Sequence, residues 1–178
     1  KKAFPTATIL RPSVVFGAGD NFFNMFAKLS TFLPFLPLIG GGKTKFQPVY
    51  VGDIATATVK IMQENSAEYQ GKIYELGGPE IVTFKQIYEI LLKETNRTRG
   101  FINLPFPLAK IQGAVFSLMP KPILTMDQVK SLETDNIVQD GALGFKNLSI
   151  NPTAMETILP AYLACYRHGG RFANKKSA

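Results

Sequence analysis

Ala7-Thr8-Ile9-Leu10-Arg11-Pro12-Ser13-Val14-Val15-Phe16-Gly17 is the stretch whose reading decides the fold class. It is a short apolar run with β-branched Thr8, Ile9, Val14 and Val15, bounded by Pro5 and Gly17. A continuous rather than alternating apolar run belongs to a strand covered on both faces, as in a parallel sheet. A second stretch, Gln47-Pro48-Val49-Tyr50-Val51-Gly52-Asp53-Ile54-Ala55, reads as a strand that runs directly into a helix. The pair predicts an α/β fold.

Working outward, Asp20 or Asn21 is placed to cap a helix from Phe22 to about Phe32, with Phe22, Phe23, Phe26 and Leu29 at helical spacing. Pro34 and Pro37 stop it and predict a Pro-rich loop, and Gly40-Gly41-Gly42 predicts a flexible connector. Lys43 to Val51 is a second extended segment. Asp53 opens a helix with Ile54, Ala57, Val59, Ile61 and Met62 as its apolar positions. Lys72 to Leu76 is a strand that ends at Gly77-Gly78-Pro79, and Thr83 caps a helix from Phe84 to Thr95. Phe101 to Leu104 is extended, and Leu108 to Leu118 is helical. Thr125 and Gln128 have capping-box spacing for a helix through about Leu132. The last helix runs from Ala154 to about Arg167, interrupted by Pro160. Three strong strands cannot by themselves make a doubly wound sheet. The first begins almost at residue 1, so the expectation is a piece of a larger protein.

With 178 residues and 46% hydrophobic content, the chain suits one globular domain, or one domain plus pieces of another. No apolar run approaches the ~20 residues of a membrane span; the richest, Phe22 to Ile39, is interrupted by Asn24, Lys28, Ser30, Thr31, Pro34 and Pro37. Lys1-Lys2 followed by Ala3-Phe4-Pro5 is not the pattern of a secretory leader. A single cysteine, Cys165, excludes an intramolecular disulfide framework and fits a reducing compartment. The net charge is +7, and Arg167, Arg171, Lys175 and Lys176 follow the last acid, Glu156. Such a tail either meets anionic lipid, nucleic acid or an acidic partner, or is a solvated terminus. No basic stripe interleaved with aromatics is present, which argues against nucleic acid as a partner.

Several motifs fail on chemistry. Gly40-Gly41-Gly42-Lys43-Thr44 lacks the earlier glycine of a phosphate loop, since position 37 is Pro37. One His and one Cys, three residues apart, do not supply a zinc ligand set or an oriented nucleophile, so no metal and no catalytic residue is assigned. Pro12, Ser13, Val14 and Val15 are different. In an open α/β sheet the ligand lies outside the carboxyl ends of the strands. Pro12 fixes the backbone there, and the following amides and carbonyls could hold a flat polar group such as a carboxamide. An ordinary buried strand with a Pro bend is the alternative reading of the same residues.

Arg11-Pro12-Ser13-Val14-Val15-Phe16-Gly17 resembles the segment that follows the catalytic Tyr-x-x-x-Lys helix in extended short-chain dehydrogenases/reductases. Asp20-Asn21-Phe22-Phe23-Asn24, the Gln47 to Ala55 stretch, Tyr74-Glu75-Leu76-Gly77-Gly78-Pro79, Asn103-Leu104-Pro105-Phe106-Pro107 and Leu124-Thr125-Met126-Asp127-Gln128-Val129 narrow the match. The set is similar to the atypical branch that contains the NAD(P)H-binding accessory subunit of respiratory complex I and its bacterial relatives. The resemblance implies the C-terminal part of a Rossmann-type NAD(P)-binding protein: the last strands of the parallel sheet plus a small, mostly helical substrate-side domain. On that reading, residues 1–20 and 47–79 complete the dinucleotide-binding sheet. Residues 21–46 and 80–168 form the substrate-side domain, 169–178 a basic tail, and the nucleotide-binding half precedes Lys1.

The resemblance further implies that Pro12, Ser13, Val14 and Val15 line the nicotinamide end of NAD or NADP. Asn21, Phe22, Gln47 and Tyr50 then face the substrate. It implies complex I subunits and the N-terminal half as partners, a cytoplasmic location with at most peripheral contact with the inner membrane, and a nucleotide not held by this fragment alone. The Gly-rich pyrophosphate turn and the Tyr-x-x-x-Lys pair do not occur in these residues. Two other readings stay open: an active oxidoreductase or epimerase on a nucleotide-sugar, quinone or isoprenoid, and a non-catalytic assembly module of a membrane complex.

Overall fold

The structure, a computed structural model, describes residues 2–63, 66–116 and 126–170. In chain order its elements are β1 (Ile9–Pro12), β2 (Val15–Phe16), α1 (Phe22–Phe32), β3 (Phe35–Ile39), β4 (Lys45–Phe46), β5 (Val49–Tyr50), α2 (Val51–Gln63) and α3 (Ser66–Tyr69). They continue with β6 (Ile73–Leu76), β7 (Val82–Thr83), α4 (Phe84–Glu94), β8 (Gly100–Leu104), α5 (Phe106–Phe116), α6 (Met126–Ser131) and α7 (Met155–Leu163). The described residues pack as two units. One is built from Lys1–Asp20, Gln47–Ile81 and Asn136–Leu159, the other from Asn21–Phe46, Val82–Asp135 and Pro160–Ala178.

In the first unit β1 runs parallel to β6, in register from Ile9 opposite Ile73 to Pro12 opposite Leu76. β2 runs parallel to β5, with Val15 opposite Val49 and Phe16 opposite Tyr50. Parallel strands need a crossover, and the helix α2 that follows β5 leads the chain round to β6. The core gathers Val49, Ala57, Tyr69, Tyr74 and Leu76 with Phe145 and Leu148, and Leu10, Val15, Ile54 and Ile61 pack against it. Each fully buried large apolar side chain contributes about 1.5–3 kcal/mol. Phe145 and Leu148 come from a 3₁₀ turn, Phe145–Leu148, and Tyr74 forms a parallel bridge with Leu143. The sequence reading gave 80–168 wholly to a helical substrate-side part. Residues 136–159 pack instead with 1–20 and 47–81 in the first unit, where Phe145 and Leu148 complete the core.

The second unit centres on aromatics. Phe26 meets the Phe84 and Tyr88 rings edge-on at 5.2 and 5.0 Å, and Phe22 meets Phe26 at 5.0 Å. Such pairs add about 0.5–1.5 kcal/mol each beyond burial. α4 begins with a capping box: Gln86 N donates to Thr83 Oγ1 at 3.2 Å and Thr83 N to Gln86 Oε1 at 2.7 Å. α1 has Asn21 at its N-cap without a side-chain cap bond, while the Asp20 carboxylate accepts from Gly17 N at 3.4 Å.

The Pro-rich loop predicted after α1 is a strand. β3 pairs in parallel with β8, Phe35 opposite Gly100 through Ile39 opposite Leu104. Pro37 is tolerated because among the described residues β3 pairs only with β8, so its other edge is open and a missing N–H there costs nothing. Pro34 does end α1, with Leu33 extended at φ −91°, ψ 131° as the residue before proline must be. At the expected glycine connector, Gly40, Gly41 and Gly42 make a turn with φ of 59°, 72° and 68°, the left-handed region that glycine adopts without strain. β4 pairs antiparallel with β7, Lys45 opposite Thr83 and Phe46 opposite Val82. α7 contains Pro160 and passes into a 3₁₀ turn, Ala164–Tyr166. The predicted Thr125–Gln128 cap and the tail cations Arg171, Lys175 and Lys176 lie outside the described residues and side chains.

Candidate site at the carboxyl ends of β1 and β6

β1 and β6 end side by side at Pro12 and Leu76. The chain then leaves the sheet at Ser13, whose N–H donates to Leu76 O at 2.9 Å. The Ser13 hydroxyl is buried and donates to Asn136 O at 2.7 Å. Gln47 N donates to the same carbonyl at 3.0 Å and lies 3.4 Å from Ser13 Oγ. The Gln47 side chain holds a backbone partner at each end: Nε2 donates to Gly78 O at 2.8 Å, and Oε1 accepts from Val138 N at 3.0 Å. Gly77 leaves room for this side chain, since a Cβ there would sit 2.5 Å from Gln47 Cδ, while Gly78 lets the Pro48 backbone come close. Glu75 Oε2 accepts from Gln139 N at 2.9 Å, and its other oxygen stands 3.9 Å from Arg11 Nη1.

These bonds frame an open depression of about 190 Å³, lined by Arg11, Pro12, Ser13 and Glu75 from the strand ends and by Asn136, Ile137, Val138 and Gln139 opposite. Its charges offset each other, one guanidinium against one carboxylate. Hydroxyl, amide and backbone groups supply the remaining polarity.

Of the residues singled out in the sequence, Pro12, Ser13 and Gln47 come together here. Val14 and Val15 lie behind them: Val14 O accepts from Val49 N at 2.9 Å, and Val15 is paired with Val49. Tyr50 packs its ring on Phe16 at 5.8 Å. Asn21 and Phe22 belong to the second unit. There Asn21 O accepts from Met25 N at 3.3 Å, and the Phe22 ring meets Phe23, Phe26 and Phe46. Sequence reasoning missed Glu75 and the Asn136–Gln139 segment. Glu75 faces Arg11 once β1–β6 register is known, but nothing local marks a segment that reaches Ser13 across 123 residues.

Two other sequence features fall outside the depression. The Asp53 carboxylate, in the first turn of α2 and buried, accepts from Thr153 N at 2.6 Å and from Thr153 Oγ1 at 2.9 Å. The helix begins two residues before Asp53, at Val51. Cys165 is exposed, with its thiol 3.1 Å from Tyr162 O, and His168 is exposed as well. Among the described residues no group of three or more His, Cys, Asp or Glu is placed to hold a metal ion, and no helix is long and apolar enough to cross a membrane.

Over 177 residues the chain is 39% identical to the mitochondrial NADH dehydrogenase (ubiquinone) 1 alpha subcomplex subunit 9 of Arabidopsis thaliana, covering 94% of this chain and 44% of that protein. This chain is homologous to subunit 9. The Mus musculus subunit 9 is 34% identical over 160 residues, 88% of this chain and 41% of the relative. The mitochondrial NADH-ubiquinone oxidoreductase 40 kDa subunit of Neurospora crassa is 27% identical over 168 residues, 94% and 43% respectively. The chain thus spans less than half the length of each of these subunit 9 and 40 kDa relatives. No protein-family model matches it. Among solved structures, a UDP-glucose 4-epimerase of Thermotoga maritima superposes with a TM-score of 0.60 at 16% identity, over 89% of this chain and 45% of the enzyme. A dTDP-glucose 4,6-dehydratase of Streptomyces venezuelae gives 0.57 at 14% identity, over 87% and 42%. These likenesses give the fold class, α/β of the Rossmann type, which agrees with the parallel strand pairs.

Proposed function

We propose that this chain is part of an NAD(P)-binding, reductase-like accessory subunit of NADH:ubiquinone oxidoreductase, and that the β1–β6 end takes the nicotinamide end of the nucleotide. The observation that carries the reading is the 39% identity to subunit 9 across 94% of the chain. The geometry supports it in two ways. The depression lies outside the carboxyl ends of parallel strands, where ligands of open α/β sheets bind. Its volume of about 190 Å³ is below the ~300–1,000 Å³ of a complete ligand pocket, so it suits one end of a larger molecule. The phosphates would be held by residues outside these 178, which contain no Gly-x-Gly-x-x-Gly turn.

On this reading Pro12 and Ser13 form the rim, and Val14 and Val15 back it. A nicotinamide nucleotide, when bound, supplies a hydride donor or acceptor. The residues described here bind and orient its polar end. The partners are complex I subunits, and the place is peripheral to the membrane that holds them.

The test uses the full-length gene product. Tagged protein is followed on native gels for co-migration with NADH dehydrogenase activity, and purified protein is titrated with NADH and NADPH. Co-migration with affinity for either nucleotide is expected. Nucleotide affinity without co-migration would favour a free-standing reductase, co-migration without affinity would favour the assembly module, and absence of both would end the proposal.

A further inference from the structure

Half of the depression is not made by the sheet. Asn136–Gln139 is neither helix nor extended strand, and it reaches the site from far along the chain. Its tethers come from the strand-end region it faces. Asn136 O takes the Ser13 hydroxyl and Gln47 N, Val138 N is held by Gln47 Oε1, and Gln139 N by Glu75 Oε2. Ile137 and Val138 are half-buried, while Asn136 and Gln139 are exposed along the depression they line.

We propose that Asn136–Gln139 is a specificity-determining wall of the site, that Asn136 and Gln139 contact the bound group, and that Gln47 is the positioning residue that holds the wall in place. This rests on the nucleotide reading above and adds to it the residues opposite the strand ends. The group recognised is neutral and polar, an amide or a hydroxyl, because Arg11 and Glu75 already offset each other and leave no net positive field for a phosphate. Gln47 is suited to positioning because one side chain reads both sides of the site: the carbonyl that follows β6, at Gly78, and the amide of the wall, at Val138. Without it, the wall keeps only the bonds at its two ends.

The experiment again uses the full-length gene product, with NADH and NADPH as probes. Nicotinamide fluorescence reads affinity, thermal melting reads folding, and amide exchange is followed at Val138 and Gln139. Failure of the wild type to bind either nucleotide would remove the function reading, and this proposal with it. If the wild type binds, N136A/Q139A is expected to weaken affinity by about three- to tenfold at unchanged melting temperature, the effect of one or two lost hydrogen bonds. Exchange at Val138 and Gln139 is expected to slow when nucleotide is added. Q47A should speed exchange at Val138 and weaken binding, and Q47E, which keeps the acceptor for Val138 N–H but sets a carboxylate oxygen against Gly78 O, should restore slow exchange at Val138 only in part. A wild type that binds while N136A/Q139A changes affinity by less than about twofold would reduce the wall to scaffold and overturn the proposal while leaving the function reading intact.

Discussion

Asp53 and Tyr88 show how a single side chain can hold or strain a unit. Asp53 accepts two bonds from Thr153, 100 positions on, and so ties the start of α2 to the residues just before α7. Bonds to a charged acceptor contribute about 1.5–3 kcal/mol, and removing the acceptor leaves two half-buried Thr153 donors unpaired. Asp53→Ala should therefore lower stability by about 2–3 kcal/mol in denaturant melts, and Asp53→Asn, which keeps one acceptor, by less. Equal losses would count against this account. Tyr88 is the converse. Its ring is fully buried among Phe26, Phe84 and Phe101, and its hydroxyl has no hydrogen-bond partner among the described residues. An unsatisfied buried hydroxyl costs about 1–3 kcal/mol, so Tyr88→Phe should leave the melting temperature unchanged or raise it. Burial also pushes the Tyr88 phenol above its ordinary range. As pH rises past the ~10 of a free tyrosine, the unfolded chain gives up this proton before the folded one does, and stability falls from there. The fall should be shallower in Tyr88→Phe, and an equally steep alkaline limb in both proteins would refute the argument.

At the scale of elements, what could be read in advance was what is local. α4 announces itself by Thr83 and by Ile87 and Leu91 on one face, both fully buried. Thr83→Ala removes the side-chain half of the capping box and should cost about 1 kcal/mol, with helix α4 losing amide protection at its first turn. No change in stability or protection would mean that the cap is idle. β1, β5 and β6 were legible from β-branched runs and flanking glycines for the same local reason. β3 was hidden because Pro34 and Pro37 carry the composition of a loop, and only its pairing with β8 makes it a strand. Phe35 lies over Gly100, where a Cβ would come within 2.5 Å of its ring. That contact spans the helix α4 and cannot be seen from either segment alone. Of the depression's lining, Pro12 and Ser13 were marked by the strand end itself. The wall at Asn136–Gln139 was not, because its place depends on Gln47 and Glu75, which are 91 and 64 residues distant from their partners there.

The whole chain crosses between its two units five times, at 20/21, 46/47, 81/82, 135/136 and 159/160. No single cut can release either unit, since each is assembled from segments on both sides of any break near the middle. Pro79, Glu80 and Ile81 are exposed and outside regular structure, which makes them a suitable place for an engineered protease site. Protein cleaved there should remain one species on size exclusion, held by β3–β8, by β4–β7 and by the Tyr74–Leu143 bridge, and should separate only under denaturing conditions. Separation without denaturant would contradict the two interleaved units. The same interleaving governs manufacture. Tyr74 and Leu76 wait for Phe145 and Leu148 to close the core of the first unit. Synthesis at ~5–20 residues per second puts roughly 4–14 s between them. During that interval a half-built apolar surface stands open at the mouth of the ribosome, so the order of the chain itself prescribes an appointment with holding chaperones.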